Sequence, residues 1–364
     1  MKLSEIIKEL ELWAPLSNQE SYDNSGLLVG NMNQEINGAL ICLDSIESVV
    51  DEAIANGFNL IIAHHPIIFS GLKRLNGKNY IERTVIKAIK NDIAIYAIHT
   101  NLDNIRTGVN KKIADKIGLE NTKILVPKEG KLFKLTVNTP KSEAENIRNQ
   151  LFKSGAGNIG NYSECSFSIP GIGTFTGNSD SNPTIGERNK RQYEPEEKLE
   201  VIVEDWQLNK VFSEIKKAHI YEEIAYEIMP LKNQNQHVGA GMIGELKEEL
   251  NSESFFNLLK MNMKATSIRY TTPLNRPIKK VAVCGGSGSE FLPFAIAQGA
   301  DVYVTSDYKY HQFFDADGKI MVADIGHFES EQFTIELISD FLREKFPKFA
   351  VRLTVTNTNP INYF

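Results

Sequence analysis

The amino-acid sequence predicts a mixed α/β fold, in which a mostly parallel-sheet core domain with helices on both faces is interrupted by a ferredoxin-like α+β domain. The first and last thirds of the chain alternate buried-strand and helix patterns, which is typical of parallel sheets with helical crossovers. The middle third instead has a β-α-β-β-α-β order, which is typical of a ferredoxin-like unit. The length of 364 residues is sufficient for two domains.

The first third contains short apolar runs that predict strands at Ala39 to Leu43, Leu60 to Ala63 and Ile93 to Ile98. Helical patterns lie at Ile46 to Asn56, Tyr80 to Asn91 and Val109 to Ile117. Gly57 and Gly118 follow two of these helices, where glycine commonly ends a helix. The last third has the same style, with strands at Lys280 to Cys284, Asp301 to Val304, Ile320 to Ala323 and Ala350 to Thr356, and a long helix at Phe328 to Lys345.

The middle of the chain is rich in strands from about Pro127 onward. Strands are predicted at Lys131 to Val137, Ser166 to Ile169, Gly173 to Thr176, Leu199 to Val203 and Ala225 to Met229. Helices are predicted at Ser142 to Ser154 and Leu208 to Ala218. We therefore expect residues 127–235 to form an inserted domain, and residues 1–126 and 236–364 to form the two parts of one discontinuous core domain.

Composition and charge exclude several classes of protein. The net charge of -6 argues against a nucleic-acid partner, because such proteins usually carry a basic surface. The three cysteines are far apart and form no CxxC pair, so a disulfide framework or a thiolate zinc site is not expected. No apolar run approaches the roughly 20 residues that span a bilayer. We expect a cytoplasmic protein with no membrane partner.

Histidines and carboxylates follow three of the predicted strands. His64 and His65 come directly after one strand, and Asp103 lies shortly after the next. His327 and Glu331 follow a third strand and open a helix, where their i, i+4 spacing places them on one face. Taken singly, each has a structural alternative: a surface histidine pair, an Asx turn at Asp103, and an acidic helix start favoured by the helix dipole.

Together these five residues predict a metal site. Ligand sites in open α/β sheets form outside the carboxyl ends of the strands, so the three segments would meet at one rim. Three histidines and two carboxylates offer enough donors for two divalent ions per subunit, and mixed nitrogen and oxygen ligands suit zinc, iron or manganese. Asp103 is the carboxylate that we expect to bridge the two ions.

The chain resembles the Nif-three-like family, also described as type 2 GTP cyclohydrolase I homologues, over nearly its whole length. The motifs that carry the resemblance are Tyr22-Asp23-Asn24-Ser25-Gly26-Leu27, Ala63-His64-His65-Pro66, His99-Thr100-Asn101-Leu102-Asp103, Val304-Thr305-Ser306-Asp307 with His311, and Gly326-His327-Phe328-Glu329-Ser330-Glu331. The resemblance implies a dinuclear metal site at His64, His65, Asp103, His327 and Glu331. Ser306 departs from the pattern, since many members have glycine before the acidic residue.

The resemblance also extends to the insertion and the assembly. Residues 155–162 and 171–175 are similar to the insertion of the longer family members, a trimer-forming module like signalling proteins of the nitrogen-regulatory type. The family implies a homo-oligomer, a ring-shaped hexamer or trimer of dimers. Its name implies a small-molecule, nucleotide-like substrate such as GTP.

Three further features are less specific. Gly285-Gly286-Ser287-Gly288 lies between a strand and a helix, where it predicts a tight turn or a contact to an anion. Asp307 and His311 follow a strand end, and they are candidates either for orienting the ligands or for acid-base catalysis. For His311 a purely structural role is the alternative.

Two functions are compatible with these features. One is a metal-dependent hydrolase in which an activated water attacks a nucleotide-like substrate. The other is a metal carrier, a sensor or a regulatory ring-forming protein without turnover. A third, a ring-shaped scaffold for nucleic acid, is disfavoured by the acidic charge balance.

Overall fold

The computed structural model describes residues 1–364, which divide into two compact units: Met1–Pro127 with His237–Phe364, and Lys128–Gln236. The strands are β1 (Gly26–Val29), β2 (Gly38–Asp44), β3 (Leu60–His65), β4 (Ala94–Ala97), β5 (Leu119–Lys128), β6 (Leu132–Pro140), β7 (Ser166–Phe175), β8 (Gln192–Glu204), β9 (Tyr226–Leu231), β10 (Asn235–Leu250), β11 (Arg269–Tyr270), β12 (Ile278–Ser287), β13 (Val302–Ser306), β14 (Met321–Asp324) and β15 (Ala350–Leu353).

The α-helices are α1 (Leu3–Trp13), α2 (Glu47–Ala55), α3 (Tyr80–Lys90), α4 (Thr100–Asp103), α5 (Val109–Ile117), α6 (Ala144–Ser154), α7 (Leu208–Ala218), α8 (Ser252–Met263), α9 (Leu292–Ala297), α10 (His327–Glu331) and α11 (Thr334–Lys345). The long helix predicted at the end of the chain is therefore two helices, α10 and α11. None of the helices is both long and apolar enough to cross a membrane. The three cysteines are unpaired.

The larger unit contains two sheets, and the predicted parallel pairing holds for most of the first and for part of the second. The first has the order β1-β4-β3-β2-β15, and all of its pairs are parallel except the antiparallel edge pair of β1 with β4. The second has the order β11-β14-β13-β12-β10-β5. There β12, β13 and β14 are parallel to one another, whereas β10 pairs antiparallel with β12 and β11 pairs antiparallel with β14.

The glycines of β10 interrupt the apolar alternation that predicts a strand, and the first half of β5 is polar from Glu120 to Lys123, so the sequence pattern indicated neither strand. A Cβ at Gly239 would lie 2.2 Å from the carbonyl oxygen of Val126, and one at Gly244 would lie 2.8 Å from that of Glu120. Glycine is therefore required at these two positions, where β10 lies very close to the backbone of β5. The second sheet gains these two strands from the segments that flank the smaller unit.

Helices cover both faces of each sheet in the larger unit. The main core lies between the two sheets and contains the buried faces of α1, α5, α8 and α11. A second core packs α2 and α3 against the outer face of the first sheet, and a third packs α9 against the outer face of the second. Coverage on both faces explains why β3 is apolar throughout Leu60 to Ala63 and has no polar alternation.

The smaller unit has the chain order β6-α6-β7-β8-α7-β9 and a four-stranded sheet with the order β7-β8-β6-β9. All of its strand pairs are antiparallel. Side chains of α6 and α7 pack with Leu135, Val137 and Leu199 on one face of the sheet. The two strands predicted on either side of Pro170 are one continuous strand, β7. It lies at the edge of the sheet, where a proline, which lacks a backbone N–H, is tolerated.

Candidate metal centre

Two adjacent histidines at the end of β3 point into one cluster. The ring centroids of His64 and His65 are 4.9 Å apart. Nδ1 of His64 donates to the carbonyl oxygen of Ile98 at 2.8 Å, on the side of β4. Nδ1 of His65 donates to Oδ1 of Asp44 at 2.8 Å, on the neighbouring strand β2. The two rings are therefore held from opposite sides of β3, one by the residue that follows β4 and the other by a residue of β2.

His327 and Glu331 enter the same cluster from the first and last residues of α10. Nε2 of His327 lies 3.1 Å from Oε2 of Glu331, as the predicted i, i+4 spacing allows. Nε2 of His65 lies 2.9 Å from the same oxygen and 3.3 Å from Nε2 of His327. The cluster thus joins the end of β3 in the first sheet to the helix that follows β14 in the second, rather than three strand ends of one sheet.

His99 is a further member of the cluster that the predicted ligand set did not include. It directly precedes α4, and its ring centroid lies 5.3 Å from that of His64. Its Nδ1 donates to Oδ1 of Asp23 at 2.7 Å, and the same carboxylate accepts from the backbone of Thr100. The signal for this pair was present in the sequence, because Asp23 and His99 each belong to one of the distinctive motifs.

The potential ligand atoms form three close groups: His64, His65 and His99; His64, Asp103 and Glu331; and His65, His327 and Glu331. The last two, which we call the two triads, share the carboxylate of Glu331. Oε1 of Glu331 lies 3.8 Å from Nε2 of His64, and Asp103 completes that triad at 3.7 Å from the same nitrogen. Oε2 of Glu331 faces His65 and His327 in the other triad. Glu331, rather than Asp103, is therefore the carboxylate placed between the two groups.

Every histidine of the cluster uses Nδ1 to bind an oxygen of the protein. The oxygen belongs to Ile98 for His64, to Asp44 for His65 and to Asp307 for His327, the last at 2.7 Å. Because a carbonyl or an ionised carboxylate only accepts, Nδ1 carries the proton and Nε2 keeps its lone pair when the ring is neutral. Metal-binding histidines in proteins are usually held in this way.

Two atoms at the centre of the cluster are buried without any hydrogen-bond partner: Nε2 of His64 and Oδ1 of Asp103. They face each other at 3.7 Å, beyond hydrogen-bond distance. Buried polar atoms are nearly always paired, since leaving one unpaired costs about 1–3 kcal/mol. A divalent cation would bind both atoms at once, so the residues present fit a metal.

Opposite charges buried together set the electrostatics of the cluster. Burial disfavours the charged ring of His65, but its bonds to Asp44 and Glu331 outweigh burial and raise its pKa to about 10. The charge of Glu331 raises the pKa of His327 to about 11. Burial raises the pKa of Asp103 to about 7, with the charge of Glu331 adding to the effect. A cation between the two carboxylates would relieve their mutual repulsion.

The glycine-rich segment at the end of β12 lies directly against the cluster. A Cβ at Gly286, where φ is +60°, would lie 2.5 Å from Oε1 of Glu331 and 3.3 Å from Cε1 of His327. The backbone N–H of Gly286 donates to the hydroxyl of Ser330 on α10. Glycine is therefore needed here so that the strand can approach the carboxylate.

The two residues proposed for catalysis lie in different surroundings. Asp307, in the left-handed region at φ +57°, accepts from His327, and this bond lowers the pKa of its carboxyl group. His311 is exposed on the short 3-10 helix Tyr310–Ala316, where its ring packs beside Tyr310 and Phe314. The structure thus brings Asp307 to the cluster, while His311 stays outside it.

A cavity of about 360 Å³ opens beside the cluster. Its lining includes Asp44, His65, Phe69, His99, His327, Phe328, Asn359, Pro360 and Ile361. Imidazole rings form part of one wall, and a segment that follows β15 forms another. The cavity therefore gives a small molecule access to the side of the cluster formed by His65 and His327.

Comparison with known proteins agrees with the motifs. Residues 1–360 match the model of the family described as Duf34/NIF3 (NGG1p interacting factor 3). A relative from Halalkalibacterium halodurans, named GTP cyclohydrolase 1 type 2 homolog, is 39% identical, with 98% of each chain covered. A Bacillus subtilis relative of the same name is 36% identical, covering 99% of this chain and 98% of that one. The crystal structure of a Bacillus cereus protein related to NIF3 has a TM-score of 0.87 at 36% identity, covering 100% of this chain and 99% of that one.

Proposed function

The chain belongs to the Duf34/NIF3 (NGG1p interacting factor 3) family, and on that premise we propose that it is a hydrolase that depends on two divalent metal ions. One ion is assigned to the triad of His64, Asp103 and Glu331, and the other to the triad of His65, His327 and Glu331. The name shared by the curated relatives, GTP cyclohydrolase 1 type 2 homolog, supports a nucleotide-like small molecule as substrate. Zinc, iron and manganese all suit this donor set.

The observation that carries this proposal is the pair of unpartnered atoms, Nε2 of His64 and Oδ1 of Asp103, in one of the two triads that share Glu331. A buried structural histidine usually has a protein partner for each of its nitrogens, as His219 does. When bound, divalent ions supply Lewis acidity that makes water nucleophilic near neutral pH. Glu331 faces both triads, so its two oxygens would bind both ions.

The surrounding residues would orient the ligands and handle protons. Asp44 and Asp307 hold Nδ1 protons of His65 and His327, which fixes the direction of each Nε2. Since its pKa is lowered, Asp307 stays ionised at neutral pH and acts as an orienting group rather than as an acid. We retain His311 as the proton-transfer group, a role that requires the substrate or another copy of the chain to reach its exposed ring.

Metal analysis and turnover measured together test this function. We expect purified protein to contain divalent metal and to hydrolyse GTP or another nucleotide of a broad panel in a metal-dependent way. His64→Ala and Glu331→Ala should lose both metal and turnover, whereas the exposed His311→Ala should keep its metal and lose turnover only. Metal binding without turnover on any nucleotide would overturn the hydrolase and indicate the carrier or sensor instead.

We further propose that the smaller unit is ferredoxin-like and promotes assembly into a homohexamer. Its chain order and its antiparallel strand order β7-β8-β6-β9 support this classification. Phe167 and Ile169 of β7 are 65% and 43% exposed, so apolar side chains are available for contact between copies. Light scattering on the full chain and on Phe167→Glu tests the assembly: a monomeric wild-type chain would contradict it.

A further inference from the structure

A polar segment at residues 354–361, which we call the strap, follows β15 past the carboxyl end of the first sheet. Its sequence places threonine at every second position, and the exposure alternates in step. Thr354, Thr356 and Thr358 are half-buried, while Val355 and Asn357 are exposed. This period of two is typical of an extended segment with one face against the protein.

The first half of the strap is fixed to Glu52 on α2. The Glu52 carboxylate accepts from the hydroxyls of Thr354 at 2.6 Å and Thr356 at 2.7 Å. It also accepts from the backbone N–H groups of Val355 and Thr356 at 2.9 and 3.1 Å. Three of these four bonds do not use the hydroxyl of Thr356, so the first half of the strap stays attached to α2 when that hydroxyl is removed.

That next threonine contacts the support of a proposed metal ligand. The hydroxyl of Thr358 donates to Oδ2 of Asp44 at 2.7 Å, while Oδ1 of Asp44 accepts from Nδ1 of His65. The two bonds use different oxygens of one carboxylate, so together they restrict its rotation. His65 in turn directs Nε2 toward Glu331 at 2.9 Å.

Beyond Thr358 the strap reaches the other side of the cluster. Nδ2 of Asn359 donates to Oε1 of Glu329 at 3.3 Å, and Glu329 lies on α10 between His327 and Glu331. Asn359, Pro360 and Ile361 line the cavity beside His65 and His327. The strap therefore contacts the supports of His65 and the helix that carries the other two ligands of that triad.

We propose that Thr358 is a positioning residue for the metal centre, and that docking of the strap and binding of the metal favour each other. The inference rests on the proposed metal centre, whose ligands it assumes. The hydroxyl of Thr358 fixes Asp44, and Asp44 fixes the ring of His65. Because such linkage is reciprocal, a strap that increases metal affinity must itself be docked more firmly when metal is bound.

Cobalt(II) titration of the full chain, followed by its visible absorption, tests the proposal. Thr358→Val removes the hydroxyl at nearly constant volume, Thr358→Ser restores it, and Thr356→Val makes the same change against Glu52 instead of Asp44. We expect Thr358→Val to bind cobalt about tenfold more weakly, at the lower end of the effect of losing a histidine's own partner, because Asp44 remains and loses only the bond that fixes its orientation. Thr358→Ser and Thr356→Val should stay near wild type, and all four proteins should melt alike without metal.

Hydrogen exchange provides a second measurement that a merely structural role would not change. In the wild-type chain, cobalt should slow exchange of the strap amides of residues 354–359 and 361, and in Thr358→Val this protection should be smaller. Unchanged cobalt affinity and spectrum in Thr358→Val would overturn the positioning role while leaving the metal centre intact, and so would equal weakening in Thr356→Val. If the wild-type chain binds no cobalt, the metal centre fails and this inference fails with it.

Discussion

Two buried histidines, one in each unit, differ in a way that separates a ligand from a structural residue. In the larger unit, His64 is 0% exposed, donates through Nδ1 to the carbonyl of Ile98 and leaves Nε2 unpartnered. In the smaller unit, His219 is 8% exposed. Its Nε2 donates to the carbonyl of Asn138 at 3.0 Å, and its Nδ1 accepts from the N–H of Tyr221 at 3.0 Å.

Burial alone therefore does not identify a metal ligand. Both rings are removed from water, but only His219 has a protein partner for each nitrogen, which is the usual state of a buried polar group. The free nitrogen of His64 faces two carboxylates, Asp103 and Glu331. The difference predicts that substitutions around His64 will lower metal binding, whereas substitutions at His219 will lower the free energy of unfolding.

The largest effect is expected for Glu331→Ala, because Glu331 belongs to both triads. Metal content measured by elemental analysis should fall from about two ions per chain to almost none. His219→Gln should keep its full metal content and serves as the matched control. A Glu331→Ala protein that retains both ions would show that the shared carboxylate is not a ligand.

His219→Gln should instead lower the free energy of unfolding by about 2 kcal/mol, since a buried Asn138 carbonyl or Tyr221 N–H loses its partner. The loss should be the same with metal and with a chelator. Urea unfolding under both conditions measures it, with exposed His311→Gln as the control. A loss that appears only with metal present would contradict the structural role of His219.

Asp103→Asn should have opposite effects with and without metal. In metal-free protein the change should stabilise the fold by about 1 kcal/mol, because it removes one of two buried carboxylates that repel each other. In metal-loaded protein it should lower the melting temperature, because a ligand is lost. Thermal unfolding with chelator and with metal gives both signs. The same sign in both would exclude Asp103 as a ligand.

The smallest effect concerns pH. Burial lowers the pKa of His219 in the folded chain, so the unfolded chain binds the proton more readily. The contribution of His219 is therefore complete above the ordinary histidine pKa and decreases as pH falls below it. Urea unfolding at pH 7.5 and 5.5 should show a smaller difference between wild type and His219→Gln at the lower pH. A larger difference at pH 5.5 would reverse the sign and refute this assignment.

Local sequence was sufficient to predict the parts of the candidate site that lie close together in the chain. His64 and His65 were expected at the end of a strand, and the structure places them at the end of β3. The i, i+4 spacing of His327 and Glu331 places both on α10. The family resemblance is confirmed by the match across residues 1–360 and by the relatives. These features depend on neighbours in sequence, which periodicity and motifs describe directly.

The partners of these residues depend on contacts between distant segments. Asp44 meets His65 only through the register of β2 with β3, and Thr358 reaches Asp44 from 314 residues away. The same holds for β5 and β10, which are far apart in the chain and pair with each other at the edge of the second sheet. His311 was predicted from its motif and from its place after a strand end, and the tertiary structure leaves it exposed.

By itself, the sequence determined the alternation of strands and helices, the candidate ligands at segment ends and the family. The tertiary structure alone decided that Glu331 lies between two triads, that His99 joins them and that a carboxylate or carbonyl holds each ring. The physical reason is that hydrogen bonding and burial at the cluster are shared among segments from both sheets. No single segment carries enough information to specify those contacts.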